Sequence, residues 1–276
     1  MTENYRNYFD PRTLAELKDL RVSARTIVEG YLAGLHRSPH QGYSVEFAEH
    51  REYVPGDDLR YVDWKVFGRT DRIYLKQFVE ETNFTCHLLL DSSESMAYKS
   101  ETSPLSKFEY ARILTAVLAY LVIHQQDAAG LGIFGRQLQD FVRPSGSPQH
   151  LSQILSVLER TSCSGETSLG PILHELSDRI RHRGVVVLLS DLFDESDSLK
   201  LGLMRLRHRR HDVRVLQIVD PAELAFPFEE PTLFRGLELP GEQMVDPRGL
   251  RKAYLEEFSR FLARTRKICR DLGFEH

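Results

Sequence analysis

The chain has 276 residues, of which 41% are hydrophobic and 28% charged, as in an ordinary globular protein with a substantial core. Its net charge of −4 gives no reason to expect nucleic acid or an anionic membrane as a partner. Three widely spaced cysteines without a C-x-x-C pair argue against a disulfide framework and against a zinc site. The polar N-terminus and the absence of an apolar run of bilayer length predict a cytoplasmic protein without membrane insertion.

Residues 1–82 are predicted to form a distinct N-terminal region. Apolar residues at helical spacing indicate a helix over 14–34, and alternation indicates a strand over 43–48. The turn residues PGDD at 55–58 follow, and alternation resumes over 73–79. We therefore expect a helix followed by a small antiparallel β elaboration.

Residues 83–276 show a different pattern, in which short apolar strands alternate with helices. This alternation is typical of an α/β fold with a doubly wound, mostly parallel sheet. The predicted strands cover 86–90, 129–134, 185–190 and 213–219. The predicted helices cover 107–126, 149–160, 170–182, 198–210 and 248–272. An insertion rich in Pro and Glu at about 221–247 is predicted to contain a β-hairpin.

Two predicted strands end in an aspartate, at the edge of the sheet where α/β proteins bind ligands. The strand HLLL leads into Asp91, with Ser93 and Ser95 close behind, and the strand VVVLLS leads into Asp191. The loop GETSLG between these strands contributes Thr167. Because carboxylate and hydroxyl oxygens suit a hard cation, these five residues form a candidate Mg²⁺ site, with Mn²⁺ or Ca²⁺ as alternatives.

A simpler interpretation is that the serine hydroxyls cap the turn that follows Asp91. It leaves the two strand-end acids without an explanation. The order D-x-S-x-S, then Thr, then Asp resembles the metal-ion-dependent adhesion site of the von Willebrand factor A domain. By that resemblance, Ser93, Ser95 and Thr167 would contact the metal. Asp91 and Asp191 would act largely through bound waters.

A second segment resembles the bacterial domain of unknown function 58 family. Residues 42–65 read GYSVEFAEHREYVPGDDLRYVDWK, and HRS precedes them at 36–38. The family couples this signature to a von Willebrand A-like domain, and many members begin with two membrane-spanning helices, which this sequence does not predict. The segment is either architectural or a surface for a partner, and the sequence leaves both interpretations open.

The resemblance implies a protein that is not an enzyme. Family members are typically encoded beside MoxR-type AAA+ ATPases, so the chain would act as an adaptor for such an ATPase and its client proteins, in assembling or activating complexes. An Asp or Glu of a partner would bind the open position of the metal. The enzymatic alternative is a Mg²⁺-dependent phosphohydrolase of the haloacid-dehalogenase type. That alternative requires a second Asp as general acid and base two residues after Asp91, where this chain has Ser93.

Overall fold

A computed structural model describes residues 20, 24, 28, 50–53, 64–70, 72–76, 85–194, 196–236 and 241–276. The strand predicted over 43–48 and the turn at 55–58 lie outside the described residues, as does most of the helix predicted over 14–34. Three residues of that helix are described, and all three are helical and buried in the main core: Leu20, Ala24 and Val28.

The described residues contain seven helices and nine strands, numbered here in chain order. The helices are α1 (Trp64–Thr70), α2 (Lys107–His124), α3 (Pro148–Arg160), α4 (Leu169–Arg179), α5 (Ser196–His208), α6 (Pro221–Ala225) and α7 (Pro247–Asp271). The strands are β1 (His50–Glu52), β2 (Tyr74–Lys76), β3 (Thr85–Asp91), β4 (Ala128–Phe134), β5 (Leu138–Ser145), β6 (Val185–Ser190), β7 (Asp212–Gln217), β8 (Thr232–Arg235) and β9 (Glu242–Val245).

Five strands form the central sheet in the order β5-β4-β3-β6-β7. Strand β3 pairs in parallel with both β4 and β6, and β6 pairs in parallel with β7. The predicted mostly parallel α/β sheet is therefore confirmed. Strand β5 was not predicted; it runs antiparallel to β4 at the edge and is only partly buried. Its mixed sequence LQDFVRPS lacks the continuous apolar run by which the buried strands were recognised.

The central strands are buried because both faces of the sheet are covered. Along β3, Leu88 and Leu90 belong to the apolar cluster that includes α2 and α3 residues, whereas Leu89 belongs to the cluster on the opposite face with α4 and α5 residues. Each of these leucines is completely buried, which contributes about 2 kcal/mol per side chain. Alternating leucines thus anchor β3 in the middle of a three-layer structure.

The direction of the chain changes around β3. From β3 the chain crosses through α2 to β4 on one side, whereas β6 pairs with β3 on the other side. The carboxyl ends of β3 and β6 are therefore neighbours at the point where the strand order reverses. Open α/β sheets commonly bind ligands at this point. The fold thus brings Asp91 and Asp191 to one edge of the sheet.

The described chain divides into two compact units, one within 35–83 and the other containing 84–276 together with Leu20, Ala24 and Val28. In the smaller unit, β1 and β2 pair antiparallel, with Arg51 opposite Leu75. The strand predicted over 73–79 corresponds to β2, whereas the short helix α1 was not predicted. The boundary predicted between 82 and 83 remains a prediction.

The segment after β7 contains the predicted hairpin. Strands β8 and β9 pair antiparallel, with Leu233 opposite Met244. Before them, Asp220 and Glu223 form a capping box that begins the short helix α6. The final helix, α7, begins after the cap residue Asp246. None of the described helices combines the length and apolarity needed to cross a membrane.

Candidate metal-binding site

Asp91 is the last residue of β3 and is fully buried. Its Oδ1 accepts a hydrogen bond from the backbone N–H of Ser93 over 2.9 Å and another from the Thr167 hydroxyl over 3.0 Å. Its Oδ2 accepts a hydrogen bond from the Ser190 hydroxyl over 2.6 Å. Donors from three separate segments therefore hold this carboxylate in one orientation.

The two serines of the D-x-S-x-S segment face each other. The hydroxyl oxygens of Ser93 and Ser95 are 3.1 Å apart, and both residues are buried. Ser93 precedes a short 3-10 helix, Glu94–Ala97, but its side chain makes no capping hydrogen bond to that helix. The capping interpretation is therefore wrong for Ser93. Its hydroxyl is directed to Ser95 instead.

The loop that carries Thr167 is tied to the D-x-S-x-S segment by backbone hydrogen bonds. The N–H of Ser164 donates to the carbonyl of Ser92 over 2.9 Å, and the N–H of Glu94 donates to the carbonyl of Gly165 over 2.8 Å. Gly165 has a φ of +71°, a left-handed conformation that glycine adopts without steric cost. This loop geometry brings the Thr167 hydroxyl to Asp91.

Asp191 directly follows β6 and is also fully buried. Its Oδ1 accepts a hydrogen bond from the backbone N–H of Phe193 over 3.2 Å, and its Oδ2 lies 2.8 Å from the ammonium of Lys107. The Gln217 amide donates to the Asp191 carbonyl over 3.0 Å. Asp191 thus lies at the predicted edge of the sheet, but its carboxylate is bonded to a lysine and a backbone amide.

Lys107 is a buried cation between two acids. Its ammonium lies 2.8 Å from Asp191 Oδ2 and 2.7 Å from Glu223 Oε1, and 4.8 Å from the centre of the Phe193 ring. Burial by itself would lower the pKa of Lys107, but the charges of Asp191 and Glu223 raise it above its ordinary value. The side chain therefore stays protonated at neutral pH. Burial raises the pKa of Glu223, and attraction to Lys107 only partly opposes that shift.

The electrostatics at Asp91 favour a cation. Burial and the neighbouring charge of Asp191 raise the pKa of Asp91 to about 6, against the opposing effect of its hydrogen bonds from Ser190 and Ser93. A buried carboxylate whose ionised form is disfavoured is stabilised when a positive charge comes close to it. A cation beside Asp91 would therefore favour the ionised form of its carboxylate.

The predicted residues fit a hard divalent cation in their chemistry. Among the described residues, no three His, Cys, Asp or Glu side chains form a group that could hold a metal, so a cation here would depend on hydroxyl oxygens. The candidate ligands are the hydroxyls of Ser93, Ser95 and Thr167, and the carboxylates of Asp91 and Asp191 would act largely through bound waters. Hydroxyl and carboxylate oxygens are donors that Mg²⁺ accepts. A bound Mg²⁺ would supply a positive charge able to attract an external carboxylate.

Sequence reasoning missed Ser190, Lys107 and Glu223. Ser190 immediately precedes Asp191, so a hydroxyl at the end of an otherwise apolar strand was an available signal. Lys107 is the first residue of α2, where the helix dipole disfavours a positive charge, and such a position indicates a nearby acid. Asp194, a further residue that was not predicted, accepts a hydrogen bond over 2.7 Å from the backbone N–H of Leu169 at the start of α4.

Comparison with known proteins agrees with the family predicted above. A family model described as "Protein of unknown function DUF58" matches residues 49–264, which confirms that prediction. The uncharacterized protein Rv1480 of Mycobacterium tuberculosis is 24% identical over 221 residues, covering 79% of this chain and 68% of that protein.

Two solved structures are similar at lower identity. One is the crystal structure of an aerotolerance-related membrane protein from Bacteroides fragilis, with 16% identity, a TM-score of 0.43, and coverage of 64% of this chain and 87% of that one. The other is a von Willebrand factor type A protein from Catenulispora acidiphila, with 14% identity, a TM-score of 0.36, and coverage of 67% of this chain and 43% of that one.

Proposed function

This chain belongs to the DUF58 family, and we propose that it is a metal-dependent protein-interaction module without catalytic activity of its own. A family with a von Willebrand A-like domain suggests a non-enzymatic adhesion or interaction protein. The observation that supports metal dependence is the meeting of Asp91 with Thr167, which are 76 residues apart in sequence, beside the paired hydroxyls of Ser93 and Ser95.

The proposed contact is between the bound metal and a carboxylate of the partner. Ser93, Ser95 and Thr167 offer neutral oxygens, and the carboxylate of Asp191 is already neutralised by Lys107. Mg²⁺ held mainly by neutral hydroxyls keeps much of its charge. An Asp or Glu of a partner can then form a charge-assisted bond to it.

The partner we propose is a MoxR-type AAA+ ATPase, together with the client proteins that it assembles or activates in the cytoplasm. The support for this partner is the family resemblance, since members are typically encoded beside such ATPases. An adaptor must be able both to bind and to release its partner, so its affinity for the partner must be adjustable. A weakly held cation with an open position has that property.

The test is the affinity of the purified chain for a MoxR-type AAA+ ATPase from the same organism, measured by biolayer interferometry with Mg²⁺ and with EDTA. We expect chelation to weaken binding at least about tenfold, and Thr167→Val to weaken it similarly in the presence of Mg²⁺. Thr161→Val is the matched control, because the Thr161 hydroxyl bonds only a carbonyl of its own helix, that of Val157, among the contacts described for it. Equal affinity with and without EDTA for this partner would contradict metal-dependent binding.

The phosphohydrolase alternative is tested separately. Ser93 stands where such an enzyme requires an acid, and its hydroxyl contacts that of Ser95. We expect no Mg²⁺-dependent turnover of a generic phosphate ester above background. Turnover that Asp91→Asn abolishes would overturn the non-catalytic proposal.

A further inference from the structure

The buried triad of Lys107, Asp191 and Glu223 joins three segments at the carboxyl edge of the sheet. Lys107 begins α2, Asp191 follows β6, and Glu223 lies in α6 after β7. The side chains of Lys107 and Asp191 are 2% and 0% exposed, so solvent screens their interaction poorly. Lys107 is separated from its two partners by 84 and 116 residues in sequence. The tertiary fold therefore brings the three residues together and buries them, unlike a surface ion pair.

We propose that Lys107 is a positioning residue of the candidate metal site, which holds Asp191 away from direct metal coordination and weakens the metal's affinity for the protein. This inference rests on the proposed function, because it concerns the same site. The inference goes beyond the proposed function because Lys107, which is not itself a ligand, would control how tightly the metal binds.

The geometry explains why Lys107 would act in this way. Both carboxylate oxygens of Asp191 have protein donors, Lys107 on Oδ2 and the Phe193 amide on Oδ1. A carboxylate paired with an ammonium attracts a second cation less than a free one does. Asp91, by contrast, accepts its hydrogen bonds from neutral groups. Of the two acids, Asp91 is thus the one left to attract the metal.

A consequence follows for the partner. A metal that gains little charge neutralisation from Asp191 keeps more of its attraction for an external carboxylate. If Asp191 were released from Lys107, its carboxylate would neutralise part of the charge of the metal. Metal affinity would rise, and the affinity of the metal for a partner's carboxylate would fall. Lys107 therefore keeps the bound metal available to a carboxylate of the partner.

The experiment measures Mn²⁺ binding from the electron paramagnetic resonance signal of the free ion. The decisive variant combines Lys107→Met with Glu223→Gln, which removes one positive and one negative charge together and leaves the net charge unchanged. We expect this double variant to bind Mn²⁺ about tenfold more tightly than the wild type, because Asp191 becomes free. A merely structural role for Lys107 would not tighten metal binding.

Two single variants keep the test informative if the double variant does not fold. Glu223→Gln leaves Lys107 bonded mainly to Asp191, so we expect Mn²⁺ binding to weaken by about tenfold. Glu94→Gln is its control for charge alone, because Glu94 is an exposed acid between the two site serines. We expect a clearly smaller effect from Glu94→Gln. Equal weakening in both variants would overturn the role of Lys107.

The outcomes separate this inference from the proposed function. Equal Mn²⁺ affinity in the wild type and the folded double variant overturns the inference and leaves the metal-dependent function standing. Binding by the double variant alone supports the inference in its strongest form, in which Lys107 excludes metal, and overturns the metal-dependent function. If neither protein binds Mn²⁺, both are overturned.

Discussion

The hydroxyl of Thr167 donates a hydrogen bond to Oδ1 of Asp91 over 3.0 Å, joining the loop before α4 to the end of β3, 76 residues apart in sequence. The contact depends on the backbone hydrogen bonds that hold Ser164 and Gly165 against the D-x-S-x-S segment. It places a neutral oxygen donor beside a buried carboxylate, which is the combination that a hard cation accepts.

Thr167→Val tests the metal site directly, since it removes the hydroxyl and nearly preserves the side-chain shape. We expect isothermal titration calorimetry to show weak Mg²⁺ binding by the wild type and at least about tenfold weaker binding by the variant. The free energy of unfolding without metal should fall by only about 1 kcal/mol, the loss of one hydrogen bond. Thr161→Val should leave Mg²⁺ binding unchanged. A wild-type preference for Zn²⁺ would contradict the assignment of oxygen ligands.

Ser190→Ala tests the support of Asp91. The Ser190 hydroxyl donates to Asp91 Oδ2 over 2.6 Å and accepts from the backbone N–H of Leu192 over 2.9 Å, so the variant leaves two buried groups without this partner. We expect a loss of about 2 kcal/mol in the free energy of unfolding, measured by urea denaturation. Ser177→Ala is the control, because the buried Ser177 hydroxyl bonds only a carbonyl of its own helix, that of His174, among its described contacts. An equal loss in both variants would show that Asp91 does not depend on Ser190.

Gly202→Ala tests the packing of α4 against α5, the helices that begin beside the site. A Cβ at Gly202 would lie 2.8 Å from Leu173 Cβ, closer than real Cβ atoms approach, and 3.3 Å from Gly170 Cα, a tight contact. We expect a destabilisation of about 2 kcal/mol by thermal or urea unfolding, although alanine is the better helix former. Gly249→Ala, in α7, is the matched control with no atom within 4 Å of the added Cβ, and it should be neutral or slightly stabilising.

His87 should make the protein less stable in mild acid. Burial and the neighbouring His211 lower the pKa of His87 to about 4, and among the described residues its Nδ1 has no hydrogen-bond partner. Between pH 6.5 and 4 the unfolded chain therefore binds more protons at this residue than the folded chain does. Its contribution to the free energy of unfolding falls as the pH falls, by about 3 kcal/mol in total.

The measurement is urea denaturation of the wild type and His87→Leu at pH 7 and at pH 4.5. We expect the variant to lose less stability than the wild type over this interval, because leucine binds no proton. Asp91, whose pKa is raised to about 6, contributes in the opposite direction, but it is present in both proteins and cancels in the comparison. Identical pH dependence in the two proteins would show that His87 is protonated in the folded state as easily as in the unfolded chain.

Much of the fold could be predicted from the sequence because its signals are local. The continuous apolar runs of β3 and β6 indicate strands buried on both faces, and their terminal aspartates mark the edge of the sheet. The spacing of Asp91, Ser93 and Ser95 lies within one segment. The edge strand β5 and the helix α1 were missed, because partial burial and short length weaken the periodic pattern on which such predictions depend.

The sequence by itself determined which oxygen donors this protein can offer and that they lie at strand ends. Only the tertiary structure decided which side chains bind each of the two aspartates. Ser190 bonds Asp91 across 99 residues of sequence, and Lys107 binds Asp191 across 84. Pairings at such distances depend on strand order and on the position of α2, and no local pattern encodes them. A buried lysine carries a full charge in a poorly screened environment. Because Lys107 binds Asp191 and not Asp91, it determines which of the two carboxylates remains available to attract a cation.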